Sequence, residues 1–175
     1  MSELAISHNP DQIGESMVIL ADVSGSMRGN KIIRLRQGLS DVWKSLKRVQ
    51  IIGFNDALWP VDGPTLIPEP SGGTNLTMAL KRAGELFPSE VFLFSDGMPD
   101  DPTTALEEAS RLPGTVHVFF VGDDQDVAGI EFMRRLARVG GGQMVHRDLG
   151  KTLSIGAEIR ELIALPGPTS MKGRS

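Results

Sequence analysis

Four times the sequence enters an apolar run with little or no polar alternation: Met17 to Ala21, Val49 to Phe54, Val91 to Phe94 and Thr115 to Val121. Such runs read as strands buried on both faces, which is the condition of strands inside a parallel sheet. Between them, apolar residues recur at helical spacing. After the first run they are Ile32, Leu35, Leu39, Val42, Trp43 and Leu46. Before the third they are Leu76, Ala79, Leu80, Ala83 and Phe87, and after the fourth Ile130, Met133 and Leu136. Strands alternating with amphipathic helices imply an α/β fold: a doubly wound, mostly parallel sheet with helices on both faces. At 175 residues the chain is long enough for one such domain, and no internal repeat or second domain is visible.

The boundaries follow from punctuation. Residues 1–16 are polar and irregular, a lead-in expected to be partly ordered; the domain spans 17–165; residues 166–175 have the composition of a flexible tail. Asn30 is expected to cap the first helix, with Lys44, Lys47 and Arg48 in its last turns. Residues 57–70 carry four prolines, and Leu58–Val61 with Thr65–Ile67 is expected to form a short hairpin at a sheet edge. Asp100 and Asp101 are read as helix-capping residues, Asp101 directly before Pro102. A helix is predicted over 127–139, a short last strand over 143–146 and a final helix over 153–165, stopped by Pro166. Gly140-Gly141-Gly142 follows a helix and precedes a strand, the reverse of a dinucleotide-binding fingerprint.

Composition narrows function by exclusion. A net charge of −4 without a Lys/Arg cluster argues against nucleic acid as a partner. The absence of cysteine excludes disulfides, thiolate metal sites and cysteine nucleophiles. No apolar run approaches the ~20 residues a membrane span needs, and residues 1–16 lack a signal pattern. The expectation is a cytoplasmic protein, monomeric when alone.

The stretch that carries chemistry is Asp22-Val23-Ser24-Gly25-Ser26, at the exit of the first strand. If the backbone stays extended, period-two geometry sends the carboxylate and both hydroxyls to one side. Three hard oxygens converging at a strand end suit a divalent cation. The competing reading is helix capping or a plain loop. A second carboxylate, Asp96 in Ser95-Asp96-Gly97, leaves the third apolar run, and Thr74 opens the helix that leads into it. Ligands of open parallel sheets sit outside the carboxyl ends of the strands where strand order reverses, so these five groups meet in one crevice if their strands are neighbours. Two carboxylates and three hydroxyls suit Mg²⁺ or Mn²⁺, with Ca²⁺ as a further candidate.

These residues resemble the von Willebrand factor type A (vWA) domain family, whose metal-ion-dependent adhesion site (MIDAS) reads Asp-x-Ser-x-Ser, then a distant Thr, then a distant Asp. Asp22, Ser24, Ser26, Thr74 and Asp96 fill that pattern in order. The resemblance implies a Rossmann-type, six-stranded sheet of order 3-2-1-4-5-6 with one antiparallel edge strand. It implies that both serine hydroxyls bind the metal directly, and that Thr74 and the two aspartates bind directly or through water. It also implies a protein partner whose Asp or Glu completes the coordination, a binding role without catalysis.

The alternative is a Mg²⁺-dependent phosphoryl-transfer enzyme of haloacid-dehalogenase or receiver type, with Asp22 as nucleophile. The first of these patterns needs a second Asp where Ser24 stands, and the receiver's acidic pair and late lysine are not evident. A Ser-His-Asp triad lacks a Gly-x-Ser-x-Gly elbow, and His117 lies mid-strand. Trp43 reads as core, Trp59 as a candidate partner contact, and Asp123, Asp124 and Asp126 as a solvated loop.

Overall fold

The computed structural model describes residues 16–44, 46, 48–146, 157, 159, 161 and 162. Six strands form one sheet: β1 (Met17–Asp22), β2 (Val49–Phe54), β3 (Leu58–Val61), β4 (Glu90–Ser95), β5 (Thr115–Phe120) and β6 (Gly141–His146). Their order is β3-β2-β1-β4-β5-β6, and every neighbouring pair is parallel except β2–β3. This is the order that the family resemblance implies, with β1 and β4 side by side at the point where the winding reverses.

The unalternating strands have the cause inferred for them. In β1, Val18 and Leu20 face one apolar cluster while Ile19 and Ala21 face another. The first cluster is closed by α2 (Leu76–Glu85), α3 (Pro102–Arg111) and α4 (Val127–Val139). The second is closed by α1 (Asn30–Trp43) through Ile32, Leu35 and Leu39, joined by Ile159 and Leu162. With both faces covered, the central strands have no solvent side, and polar alternation would bury unpaired groups. Ala157, Ile159, Glu161 and Leu162 are helical, as the predicted last helix requires; the rest of 153–165, the lead-in before Ser16 and the tail lie outside the described residues.

Local expectations fare unevenly. Asn30 is the first helical residue and not the cap before it, and α1 ends at Trp43, short of Leu46. Arg48 sits at φ 58°, outside any helix, so Lys44 and Arg48 follow the helix instead of closing it, while Lys47 lies outside the described residues. The proline-rich segment makes one strand, not two. β3 pairs with β2, with Pro60 opposite Ile52, whereas Pro64–Leu66 is a 3₁₀ turn closed by the Leu66 and Ile67 amides on Gly63 and Pro64 carbonyls. Pro64 has φ fixed for a helical turn and no N–H to give a ladder, and Leu66 points to solvent. Trp59 is not an exposed contact: it is half-buried, with its indole against Gly53.

At the far edge, β6 starts two residues earlier than expected. Register slips between Val116 and Val118, and a Cβ at Gly142 would come within 2.2 Å of the Val116 carbonyl oxygen, an approach only glycine allows. The Gln143 amide finds its acceptor at 3.2 Å in His117 Nδ1. His117 is therefore buried scaffolding: it stacks on Phe92, and its Nε2 lies 3.0 Å from Glu90 Oε2.

Candidate functional site

β1 remains paired beyond its last residue: the Val23 amide donates to the Phe54 carbonyl and the Ser71 amide to the Val23 carbonyl. The chain is extended through Ser24 (φ −65°, ψ 164°) and then tightens into a 3₁₀ turn over Gly25–Met27. Period-two geometry thus delivers Asp22 and Ser24, but it is the turn that brings Ser26 round. The outcome expected from extension alone is reached by a different path. Met27, buried on the sheet, anchors that turn from below.

Four of the five expected side chains form one hydrogen-bonded cluster. Ser24 Oγ and Ser26 Oγ are 3.2 Å apart, and Ser26 Oγ donates to Asp96 Oδ1 at 2.8 Å. Asp22 Oδ1 accepts from the Ser24 amide at 2.8 Å, and Oδ2 from Ser95 Oγ at 2.7 Å. The last bond follows from register, since Ala21 pairs with Phe94 and the next residues along are Asp22 and Ser95. Ser24 holds the N-cap position of the 3₁₀ turn yet makes no side-chain cap bond, so the capping reading leaves its hydroxyl unexplained.

Thr74 arrives through its backbone. The Gly25 amide donates to the Gly72 carbonyl at 3.0 Å, which lays the 71–75 loop beside the 22–26 segment. Asp100 then clamps Thr74, taking its amide on Oδ2 at 3.2 Å and giving its own amide to the Thr74 carbonyl at 2.9 Å. Asp56 Oδ2 accepts the Gly73 amide at 2.8 Å, and the Asn55 side chain donates to the Ser71 carbonyl. Gly72 has φ +76°, and a Cβ there would stand 2.6 Å from Asp56 Oδ2, so both conformation and space demand glycine. Asn75 caps α2 through the Met78 amide.

Asp100 is therefore a loop clamp, in correction of its expected role, while Asp101 does cap α3 through Thr104. The site contacts of Lys31, Ser95 and Asp56 are not expected from the sequence pattern. Lys31 Nζ lies 2.7 Å from Asp96 Oδ2 and 3.2 Å from the Ser26 carbonyl. Asp123, Asp124 and Asp126 are engaged locally, with the Gln125 amide, His146 and the α4 N-cap respectively. Neither described histidine bonds a site serine; His146 lies on β6, three strands from β1 and hence about 14 Å away at ~4.8 Å per strand.

Asp22 is 1% exposed. Burial pushes its carboxyl above the usual range, against the pull of the Ser24 and Ser95 hydrogen bonds, and the nearby Asp96 charge adds to the rise. Among the described residues no cationic side chain pairs with it, and none contain a group of three His, Asp or Glu side chains able to hold a metal ion. A cation here would draw on two carboxylates and neutral hydroxyls. That donor set is hard, rich in oxygen and poor in charge, and it fits Mg²⁺ or Mn²⁺ better than a softer ion.

A profile of the von Willebrand factor type A domain matches residues 15–70 and 61–146, most of the chain. The chain belongs to the vWA family. Among solved structures, the human COPII-coat protein Sec24c is similar at 11% identity and TM-score 0.53, over 85% of this chain and 31% of that one. The chain thus spans about a third of Sec24c, and at this identity the likeness shows the fold alone. The response regulator domain of Thermotoga maritima CheB is similar at 16% identity and TM-score 0.43, over 86% of this chain and 98% of that one. No curated protein sequence matches. The clustered groups lie at the carboxyl ends of β1 and β4, where the winding of the sheet reverses. Among the described residues no helix is long and apolar enough to cross a membrane.

Proposed function

We propose that this vWA domain binds proteins through a complete MIDAS, in which Asp22, Ser24, Ser26, Thr74 and Asp96 hold a divalent cation and an Asp or Glu of a partner completes its coordination. The observation that carries the reading is Asp22: a carboxylate buried at the mouth of the sheet, raised in pKa, with no cation of the protein against it. A buried carboxylate held by two hydrogen bonds, with no cation of the protein against it, would have its charged form stabilised by a cation that comes from outside.

The hydrogen bonds fit that role. Ser24 and Ser26 can offer oxygen lone pairs to a metal while the Ser26 hydroxyl keeps its proton and donates it in a hydrogen bond to Asp96. Asp22 uses one lone pair of each oxygen for Ser24 and Ser95, which leaves its orientation fixed and further lone pairs available for the metal or its water. Mg²⁺ or Mn²⁺ held by these residues would supply an electrophilic centre for an external carboxylate. In this reading the chain's own groups hold and orient, a role of adhesion without catalysis.

Titration with Mn²⁺ by calorimetry tests the site. Wild-type protein should bind one equivalent in roughly the millimolar range, and Asp22→Ala or Asp96→Ala should abolish binding while circular dichroism stays native. Unchanged titration in both variants would overturn the site. Capture of an acidic partner should likewise fail in EDTA.

A further inference from the structure

The oxygen cluster already holds a cation. Lys31, in the first turn of α1, extends its ammonium to Asp96 Oδ2 at 2.7 Å and to the Ser26 carbonyl at 3.2 Å. The Asp96 side chain is only 5% exposed, whereas that of Lys31 is 35% exposed. This is not a pair of two solvated arms: the acidic half is buried within the cluster, and the basic half can withdraw to water. The ammonium also touches the same residue whose hydroxyl donates to the other oxygen of Asp96. Both oxygens of Asp96 are thereby engaged, one by Ser26 and one by Lys31.

We infer that Lys31 is an internal competitor for the divalent cation and sets how tightly this site binds metal. The inference rests on the metal reading above and deepens it. Formal charge over Asp22, Asp96 and Lys31 is −1 with the ammonium seated and −2 with it withdrawn. A compact, strongly hydrated ammonium on a flexible stem gives up such a contact readily. Metal that draws on Asp96 must displace it, or sit a few ångströms from a like charge in a part-buried setting where screening is weak. With no metal bound, Lys31 thus balances one of the two carboxylates, and it lowers the affinity of the site for metal.

The experiment is Mn²⁺ titration of the full chain by calorimetry, on wild type, Lys31→Met, Lys31→Gln and Lys31→Arg, with thermal melting in EDTA as the check of fold. Lys31→Met and Lys31→Gln, which remove the charge, should each tighten Mn²⁺ binding by about tenfold or more, and Lys31→Arg should stay near wild type. Melting in EDTA should remain cooperative, because the lysine stem lies at the surface. Equal or weaker binding in both neutral variants, with wild type binding normally, would overturn the inference and leave the metal site standing; Lys31 would then only position Asp96. Absence of Mn²⁺ binding from wild type and all three variants would overturn the metal reading and this inference together. Binding by the neutral variants alone would be its strongest confirmation.

Discussion

At the scale of single residues, Asp22 has the clearest consequence. Its carboxyl is raised by burial, so the folded protein favours the protonated form more than the unfolded chain does. In metal-free protein the charged form therefore costs stability in full above the folded pKa, and the cost is relieved as pH falls through that pKa toward the ordinary value of 3.8. Asp22→Asn keeps the shape and removes the charge. It should raise the melting temperature of the metal-free protein at neutral pH and flatten the gain that wild type shows on mild acidification; thermal melts in EDTA across that range check it. The identities of Asp22, Ser24, Ser26, Thr74 and Asp96 as a group could be read from sequence because each sits at the end of a recognisable element. The contacts that Lys31, Ser95, Asp56 and Asp100 make at the site could not. Lys31 reads as one basic residue on a helix, and its bond to Asp96 spans 65 positions, a separation that no local pattern encodes.

At the scale of elements, the site depends on how loops are tied down. Asn75 caps α2 with its side chain and gives its amide to the Asn55 carbonyl, so it joins the loop before α2 to the end of β2. Replacing Asn75 by Ala should cost about 1 kcal/mol of stability in urea denaturation, the usual value of an N-cap. Core elements were the legible ones, since strands buried on both faces and amphipathic helices write their burial directly into the sequence. The proline-rich segment was misjudged in its second half, because prolines mark an interruption without saying whether an edge strand or a 3₁₀ turn follows; Pro64 takes the turn. The early start of β6 was hidden for a similar reason. Gly141 and Gly142 look like a break, yet they serve a bulge packed against Val116.

At the scale of the whole molecule, the two apolar clusters take alternate side chains of the same central strands, β1 and β4 among them. Phe94 is fully buried and stacks on Phe119 with ring centroids 4.6 Å apart. Phe94→Ala should cost about 3–5 kcal/mol, read as a fall in the urea midpoint with little change in slope. Such a loss is a large part of the total stability of a domain this size. Phe94 stands one residue before Ser95 and two before Asp96, so the same change should also loosen metal binding if the site reads as proposed.

The joining of β1 to β4 has a consequence in time. Ser26 and Asp96 are 70 positions apart, and Asp22 and Ser95 are 73 apart, so their bonds wait on closure of a long loop. Non-local pairing of this kind is slow relative to helix formation. A nascent chain still lacking β4 therefore has the Asp-Ser-Ser segment in full and no site. Under the proposed reading, a partner would recognise the finished sheet and pass over a fragment that lacks β4.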